Sequence, residues 1–344
     1  MLKRTVPFSI LLICFACREP LSETEIIGET MGTTYRIVVS QQSNAVQADA
    51  LRATIETTLE RVNAHYSNWD ETSEVSRFNA SPRLDSIEIS EGFQDMLDVS
   101  DRVHLATNGR FDLTLTPVIE LWGFGPSGTI EQRPSALEIE AALQTIGQDR
   151  VIERSADGRA LRKTRPDATI YLTAVAKGYG IDAVTQALRE IGATDFMVEI
   201  GGDLFVSGKT SRDMAWQIGI ERPVAGQRGV QDIVALSNVG MATSGDYRNY
   251  FEQDGVRYSH IIDGQTGRPI THQTASVTVI AKTALEADAW ATALLAVGAE
   301  DGVRIAADYD VDALFIVRQN SSNQSEFKLI ATSGFEAYKT ATEN

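Results

Sequence analysis

The segment from Tyr258 to Thr292 constrains the fold of this chain most, because it sets a turn-rich loop directly before a helix of defined phase. The loop places His260 and Asp263 three residues apart. The Thr-Gly-Arg-Pro run at 266–269 has a turn composition that cannot extend a strand. The run therefore predicts a backbone that folds around a ligand.

The helix after this loop begins with the sequence of a capping box, with Thr283 as N-cap and Glu286 at the third helical position. In that phase Asp288 and Thr292 are four residues apart and lie on one face. A carboxylate and a hydroxyl so placed suit Mg²⁺, which binds one or two protein oxygens together with water and phosphate oxygens. The spacing alone also fits a solvated helix face, and His260 alone also fits a hydrogen-bonded loop histidine.

The rest of the chain alternates short strands with amphipathic helices. Apolar spacing and capping residues predict helices near 51–66, 90–109, 135–147 and 175–191, and strands at 35–39, 197–200, 216–221, 276–280 and 313–317. Helices clustered between strands with turn-rich joints indicate an α+β fold. No linker or repeat splits the chain, so residues 25–344 are predicted to form one catalytic unit with two lobes.

Charge narrows the range of partners. The chain carries a net charge of −16, and removal of residues 1–16, which hold Lys3 and Arg4 and no acid, leaves −18. Such a chain is not expected to bind nucleic acid, which needs basic contacts to phosphates. If a protein this acidic binds an anionic ligand, it needs a metal ion and a few placed cations at that site.

The N-terminus predicts an exported protein. Residues 1–16 combine two basic residues with an apolar run that is too short to span a bilayer, as in a cleaved signal peptide. Cys17 is then the expected site of lipidation, although Cys14 stands where leucine is usual. With 17–24 as a lipidated tether, the protein is expected to be an inner- or outer-membrane lipoprotein that faces the periplasm.

Eight motifs occur in order along almost the whole mature chain. They are MGTTY at 31–35, SNWD and SEVSRFN at 67–79, FDLT and LWGFG at 111–125, AVAKGYGID at 174–182, GGD at 201–203, SGDY at 244–247, SHIID with TGRP at 259–269, and EADAWAT at 286–292. Together they resemble the motifs of the ApbE-type FAD:protein FMN transferases. The family's mixed, largely antiparallel sheets flanked by helices fit the α+β pattern.

The resemblance implies Mg²⁺-dependent transfer of FMN from FAD to a threonine or serine hydroxyl of an acceptor flavoprotein, with AMP as leaving group. It implies that Asp288, Thr292 and the backbone carbonyl of Ala174 bind Mg²⁺. His260 is the candidate base for the acceptor hydroxyl, with Asp263 as a second catalytic candidate. The acceptor is expected to be a subunit of an exported or membrane electron-transfer complex.

The resemblance places a further set of residues around FAD. They are Met31, Trp69, Arg110, Phe111, Asp112, Tyr171, Lys177 and Ile261. A thioether and an indole suit flat aromatic rings, whereas Lys177 is expected to reach phosphate or ribose oxygens. The chain departs from the family pattern at Tyr171, where Asp is frequent, at Glu199, where Asn is common, and at Gly264, where Pro is usual.

Two other functions fit part of the same set. An Mg²⁺-dependent FAD diphosphatase would use the same site with water in place of the acceptor hydroxyl. A non-catalytic flavin-binding lipoprotein is the third alternative. The presence of His260, Asp288, Thr292 and Lys177 argues against a simple binder, because binding alone needs no such metal-centred set.

Overall fold

The computed structural model describes residues 23–40, 48–125, 133–227, 229–320 and 323–339. The helices in these ranges are α1 (Ala48–Tyr66), α2 (Glu74–Ala80), α3 (Glu91–Ala106), α4 (Thr116–Leu121), α5 (Ala136–Leu143), α6 (Gln148–Val151), α7 (Ala176–Glu190), α8 (Ala284–Val297), α9 (Ala299–Asp308) and α10 (Ser333–Glu336). A 3-10 turn, Leu172–Ala174, precedes α7. Across these ranges no helix has the length and apolar character needed to cross a membrane.

The strands are short, and the largest group of them forms one eight-stranded sheet. They are β1 (Glu23–Thr30), β2 (Thr33–Ser40), β3 (Ile87–Glu88), β4 (Ile152–Arg154), β5 (Ala160–Lys163), β6 (Phe196–Ile200), β7 (Asp203–Ser207), β8 (Trp216–Glu221), β9 (Val230–Leu236), β10 (Val239–Gly245), β11 (Tyr250–Gln253), β12 (Val256–Ser259), β13 (Ile262–Asp263), β14 (Arg268–Pro269), β15 (Thr274–Ala281), β16 (Asp312–Asn320) and β17 (Asn323–Ala331). The predicted signal peptide and Cys17 lie outside the described residues. The predicted tether, which runs to residue 24, overlaps the start of β1.

The central sheet has eight strands in the order β1-β2-β6-β7-β10-β15-β16-β17, and every neighbouring pair is antiparallel. Helices and antiparallel sheets together confirm the predicted α+β class. Side chains alternate between the two faces of the sheet, as the two-residue period of a strand requires. In β2, for example, Ile37 and Val39 pack on one face and Val38 packs on the other.

Both faces of the sheet are covered. Helices α1, α7, α8 and α9 pack on one face, where the apolar side chains form two clusters. The β8–β9 hairpin and α10 cover the other face, through residues such as Trp216, Leu236 and Phe335. The inner strands β6, β7 and β15 are accordingly buried along almost their whole length.

Helix α8 passes through the middle of the core. Every residue in it is buried except Glu286 and Thr292, so it has no solvated face. Two glycines allow the close packing of its first turn, because a Cβ atom on Gly178 or on Gly240 would lie 2.5 Å from backbone atoms of Ala284. The helix that carries the predicted metal ligands is therefore held by backbone contacts.

The N-terminus of α8 differs from the prediction in one respect. Thr283 caps the helix by accepting a hydrogen bond from the Glu286 amide at 3.1 Å. The Glu286 side chain does not complete the box, because it pairs with Arg102 at 3.0 Å. Asp182 of α7 instead accepts from the free amides of Ala284 and Leu285, both at 2.9 Å. A carboxylate there also compensates the positive end of the helix dipole.

Two other predictions are wrong in detail. The reciprocal capping box at Ser135 and Glu138 forms, but α5 ends at Leu143 and not near Gly147. The Thr-Gly-Arg-Pro run does not lie wholly outside a strand, because Arg268 and Pro269 pair with β13. The Gly267 turn packs on Ile139 and Leu143 of α5, away from the cleft described below.

Candidate active site

A cleft of about 470 Å³ opens where the turn before β7, the end of β8 and strand β10 meet α8, the 3-10 turn and the loop after β12. Ten of the thirteen predicted site residues line it: Arg110, Phe111, Asp112, Tyr171, Ala174, Lys177, His260, Ile261, Asp288 and Thr292. The folded chain thus brings together residues that are separated by up to 182 positions in the sequence. The functions of these residues stay predictions, whereas their common location is a structural fact.

We define the charged cluster as Lys177 and Asp288, which line the cleft, together with the buried Asp203. The Lys177 ammonium lies 3.2 Å from Asp288 Oδ1 and also pairs with Asp203. Asp288 Oδ2 accepts from the Gly178 amide at 2.9 Å, and Asp203 Oδ1 accepts from the Thr243 amide at 3.0 Å. Two carboxylates share one ammonium, so the cluster carries a net negative charge.

The surroundings change how these groups titrate. Burial raises the pKa of Asp288 to about 6, and Asp203 adds to the rise while Lys177 opposes it. For Lys177 burial favours the neutral amine, but the charges of Asp203 and then Asp288 outweigh burial and raise its pKa above the ordinary value. The ammonium therefore stays charged, and the two carboxylates together carry more negative charge than it compensates.

Asp203 has no assigned role in the sequence analysis, where it appears only as the end of a Gly-Gly-Asp turn. Gly201 and Gly202 line the cleft with φ angles of +60° and +99°, a region that L side chains rarely adopt. The turn they form starts β7 at Asp203 and directs its carboxylate to Lys177. The sequence signal for Asp203 is a carboxylate that directly follows two glycines. Its partner Lys177, however, lies in α7, so the pairing itself is not visible in the local sequence.

Thr292 and Ala174, which carry oxygen atoms suited to a hard cation, line the cleft together with Asp288. Thr292, one turn later on α8, exchanges a 3.0 Å hydrogen bond with Ser244 of β10. The Gly178 amide donates to Asp288 and not to the Ala174 carbonyl, which would be its partner four residues earlier in a regular helix. A carboxylate, a hydroxyl and a carbonyl are thus offered at the same wall of the cleft.

This set fits Mg²⁺ in chemical type, because magnesium binds oxygen and takes few protein side chains. No group of three or more His, Cys, Asp and Glu side chains suited to a metal ion occurs in the ranges that the structure covers. A cation at Asp288 would therefore depend on hydroxyl, carbonyl, water or substrate oxygens for the rest of its shell.

His260 lies at another wall of the cleft, directly after β12. Its Nδ1 is 2.8 Å from the Asn249 carbonyl oxygen. A carbonyl only accepts hydrogen bonds, so Nδ1 carries the proton and Nε2 of the neutral ring keeps a free lone pair. Burial lowers the pKa of His260, while the Asn249 carbonyl and Asp246 oppose this shift. The ring is therefore neutral near pH 7 and able to accept a proton at Nε2.

Three predicted site residues do not line the cleft. Met31 sits in the β1–β2 turn with a φ of +50° and packs its methyl group on Gly180. Trp69 lies in the turn before α2 with 65% of its surface exposed. Asp263 Oδ1 accepts from the amides of residues 265 and 266 at 2.8 and 3.2 Å, and Oδ2 lies 3.7 Å from Arg110. In this structure the Asp263 carboxylate stabilises a turn and pairs with the Arg110 guanidinium.

The Arg110–Asp112 segment forms a fixed wall. Both Asp112 oxygens already accept hydrogen bonds, from Thr114 and from the Gln148 amide. Gly264, where the family usually has proline, donates its amide to the Arg110 carbonyl at 3.0 Å, and a Cβ atom there would lie 2.3 Å from the Gly109 oxygen. Proline has no amide hydrogen to donate, and its Cβ atom would collide with the Gly109 oxygen. The departure from the family pattern at Gly264 therefore has a structural reason.

Several cleft residues have no role in the sequence analysis. They include Glu221, Thr243, Ser244, Tyr247, Arg248 and Asn249. Arg248 pairs with Glu221 beside the cleft and so adds a cation to an acidic protein. Five of the six lie in the SGDY motif or within two residues of it, so this motif is the sequence signal for this part of the wall.

Comparison with known proteins gives the same family along nearly the whole chain. The model of the ApbE family matches residues 31–315. A protein of Vibrio cholerae named FAD:protein FMN transferase is 37% identical over 333 residues, which are 97% of this chain and 98% of the relative. One of Haemophilus influenzae with the same name is 35% identical, over 95% of this chain and 94% of the relative.

Solved structures agree with the sequence comparison. The flavin transferase ApbE from Vibrio cholerae superposes with a TM-score of 0.84 at 36% identity, covering 93% of this chain and 100% of that one. The apo form of the flavinyl transferase ApbE from Pseudomonas stutzeri has a TM-score of 0.83 at 34% identity, covering 93% and 97%.

Proposed function

The chain belongs to the ApbE family and is a flavin transferase, and from this we propose that it moves FMN from FAD to a threonine or serine hydroxyl of an acceptor protein and releases AMP. One observation carries the finer proposal. A single cleft is lined by Asp288, whose two-carboxylate cluster exceeds the charge of Lys177, and by His260, whose Nδ1 is held by the Asn249 carbonyl so that Nε2 is free.

The reaction is a displacement at phosphorus. The acceptor hydroxyl oxygen forms a bond to the phosphorus of the FMN half of FAD, and the bond from that phosphorus to the bridging oxygen of the diphosphate breaks. The bridging oxygen leaves with AMP. His260 Nε2 takes the proton of the attacking hydroxyl, which is a weak nucleophile without a base. Positioning and charge compensation supply most of the remaining acceleration.

We propose that Mg²⁺ binds at Asp288, Thr292 and the Ala174 carbonyl. When bound, the ion compensates negative charge on the diphosphate. Lys177 contributes a second positive charge at the same wall and remains charged because Asp203 and Asp288 raise its pKa. Arg110 and Arg248 add cations at the cleft, each held by at least one acidic partner.

Covalent fluorescence tests transfer directly. Purified protein is incubated with FAD, Mg²⁺ and a threonine-bearing acceptor peptide, and the products are separated under denaturing conditions and viewed under ultraviolet light. We expect a fluorescent peptide, together with AMP in equal amount. Free FMN and AMP with no labelled peptide would instead identify an FAD diphosphatase, and no FAD cleavage would identify a binding protein.

We also propose that the protein is exported and held at a membrane by a lipid on Cys17, where it modifies a subunit of an electron-transfer complex. The charge and length pattern of residues 1–17 supports this. Cys17→Ser should move the protein from the membrane fraction to the soluble exported fraction and leave the transfer rate unchanged. A variant that stays in the membrane fraction would show that another feature anchors it.

A further inference from the structure

A row of aromatic rings connects the protein interior to His260. We define the aromatic stack as Trp122, Tyr258, Phe251 and Phe124. Ring centroids are 5.6 Å apart for Trp122 and Tyr258, 4.9 Å for Tyr258 and Phe251, and 5.5 Å for Phe251 and Phe124. Phe124 then meets the His260 imidazole edge-on, with centroids 6.3 Å apart and planes at 66°. These separations are in the range of favourable aromatic pairs.

The stack is anchored at its inner end. Trp122 is 1% exposed and donates its indole N–H to the Gly267 carbonyl at 2.8 Å. Two of the other rings belong to the β11–β12 hairpin, one on each strand: Phe251 lies on β11 and Tyr258 on β12. The hairpin is therefore clamped to the α4 region by side-chain stacking.

The same hairpin fixes both the base and the group that sets its tautomer. Asn249 immediately precedes β11 and His260 immediately follows β12. The Asn249 carbonyl accepts from the His260 backbone amide at 3.2 Å and from Nδ1 at 2.8 Å. If the strands separate, the histidine therefore loses its backbone bond and its ring bond together.

The opposite side of the hairpin has its own attachment. Arg257 lies over the Tyr250 ring at 3.9 Å and donates to the Asp246 carbonyl. The Asp246 carboxylate pairs with Arg318 at 2.5 Å and is the charged group that acts on His260. The aromatic stack is thus the attachment that touches the imidazole, whereas the Arg257 side holds the hairpin by charge.

We propose that Phe124 and Phe251 are positioning residues that hold the hairpin closed, so that His260 keeps its proton on Nδ1 and presents Nε2 to the acceptor hydroxyl. This inference rests on the proposed role of His260 as base. The rings do not touch the reacting atoms. They act through the Asn249–His260 contact and by excluding water from one side of the imidazole.

Nitrogen-15 NMR of histidine-labelled protein tests this independently of activity. The chain has four histidines, and the His260→Gln spectrum identifies the signals of His260. In wild-type protein we expect the Nδ1-protonated tautomer with a lowered pKa. Phe124→Leu and Phe251→Leu, which keep apolar volume but remove the ring, should give mixed tautomers and a pKa nearer the ordinary value. Phe124→Tyr and Phe251→Tyr should restore the wild-type spectrum.

Kinetics add a second readout. In the two leucine variants kcat for transfer should fall about tenfold, while KM for FAD stays within about twofold, because ring orientation and not FAD binding is lost. Tyr309→Leu is the matched control, since it disrupts the Trp290–Tyr309 ring pair elsewhere and should change neither quantity.

A His260 tautomer and pKa identical to wild type in both leucine variants would overturn the proposal. This result is separate from failure of the base assignment. If His260→Gln transfers FMN at the wild-type rate, His260 is not the base, and the inference falls with the role on which it rests even where the leucine variants change the spectrum.

Discussion

The residues of the charged cluster belong to helices and a strand of the central core. His260, in contrast, follows a hairpin whose two strands have four residues each and which packs on a separate, small group of apolar residues. Lys177, Asp203 and Asp288 come from α7, β7 and α8, which pack in the sheet's own layers. The stack rings of the hairpin pack on a cluster with only six buried apolar residues. The wall with the proposed Mg²⁺ ligands is therefore expected to be more resistant to opening than the wall with the proposed base, His260.

This difference separates two requirements of the reaction. Charges that compensate a diphosphate must stay fixed, because any relaxation of the protein weakens them. A base must meet an acceptor hydroxyl that arrives on another protein. The position of His260 on a hairpin beside the cleft is consistent with access for such an acceptor hydroxyl. Substitutions on the two walls should accordingly affect binding and turnover in different proportions.

The largest effect is expected at the core wall. Asp288→Ala should lower transfer about 10³-fold, because it removes the one carboxylate proposed for Mg²⁺. FAD binding should survive in part through its rings, as measured by fluorescence titration. Thr292→Val is the matched control, because it removes one neutral oxygen of similar shape and should cost much less. Full activity of Asp288→Ala at ordinary Mg²⁺ concentrations would contradict the metal assignment.

On the hairpin wall, His260→Ala should lower transfer to a threonine-bearing peptide about 10²-fold, the usual contribution of a general base. FAD affinity should change only slightly, because the charged cluster is untouched. Single-turnover rates and FAD titrations measure the two effects separately. Unchanged transfer with greatly weakened FAD binding would make His260 a binding residue and erase the contrast between the walls.

Alanine substitutions at two glycines, one in each region, test how tightly each region is packed. Gly178→Ala should lower the free energy of unfolding by about 2–3 kcal/mol, because the new methyl group meets the Ala284 carbonyl at 2.5 Å. Gly255→Ala, in the hairpin turn, meets no atom within 4 Å but has a φ of +73° and should cost about 1 kcal/mol. Urea unfolding of both variants measures the difference. Equal costs would show that α7 and α8 can separate easily.

The smallest expected effect is a pH dependence confined to the core wall. The pKa of Asp288 is raised to about 6, so protonation below that pH competes with a cation. Affinity for Mn²⁺ as a probe should be level above pH 7 and fall by about tenfold per pH unit well below 6. Titrations followed by electron paramagnetic resonance measure it. Affinity that is constant from pH 7 to 5 would mean that Asp288 is not the ligand.

Local patterns in the sequence predicted much of the fold. The apolar spacing at Leu51, Ile55 and Leu59 identified α1, and alternation identified β2, β6, β8, β15 and β16. Features that depend on contacts between distant parts of the sequence were not predicted. The second half of the cap on α8 comes from Asp182, about 100 residues before it, and no local rule connects the two. The strand order also depends on packing between distant segments.

The site shows the same division. Asp288 and Thr292 were readable because their helix phase is local. Asp203 became part of the cluster only because β7 pairs beside β10 and α7 packs over it. Asp263 was predicted to act in catalysis from its place in the SHIID loop, yet its carboxylate is engaged by the following turn and by Arg110, a partner 153 positions earlier.

One hydrogen bond joins α7 to the proposed metal ligand on α8. The Gly178 amide, the third of α7, donates to Asp288, and the Ala174 carbonyl does not accept from it. The first amides of a helix have no partner within that helix, so a carboxylate from α8 satisfies one of them here. Replacement of Asp288 would therefore leave a buried amide unpaired as well as remove a proposed ligand, so the loss of activity and a loss of stability are expected to occur together.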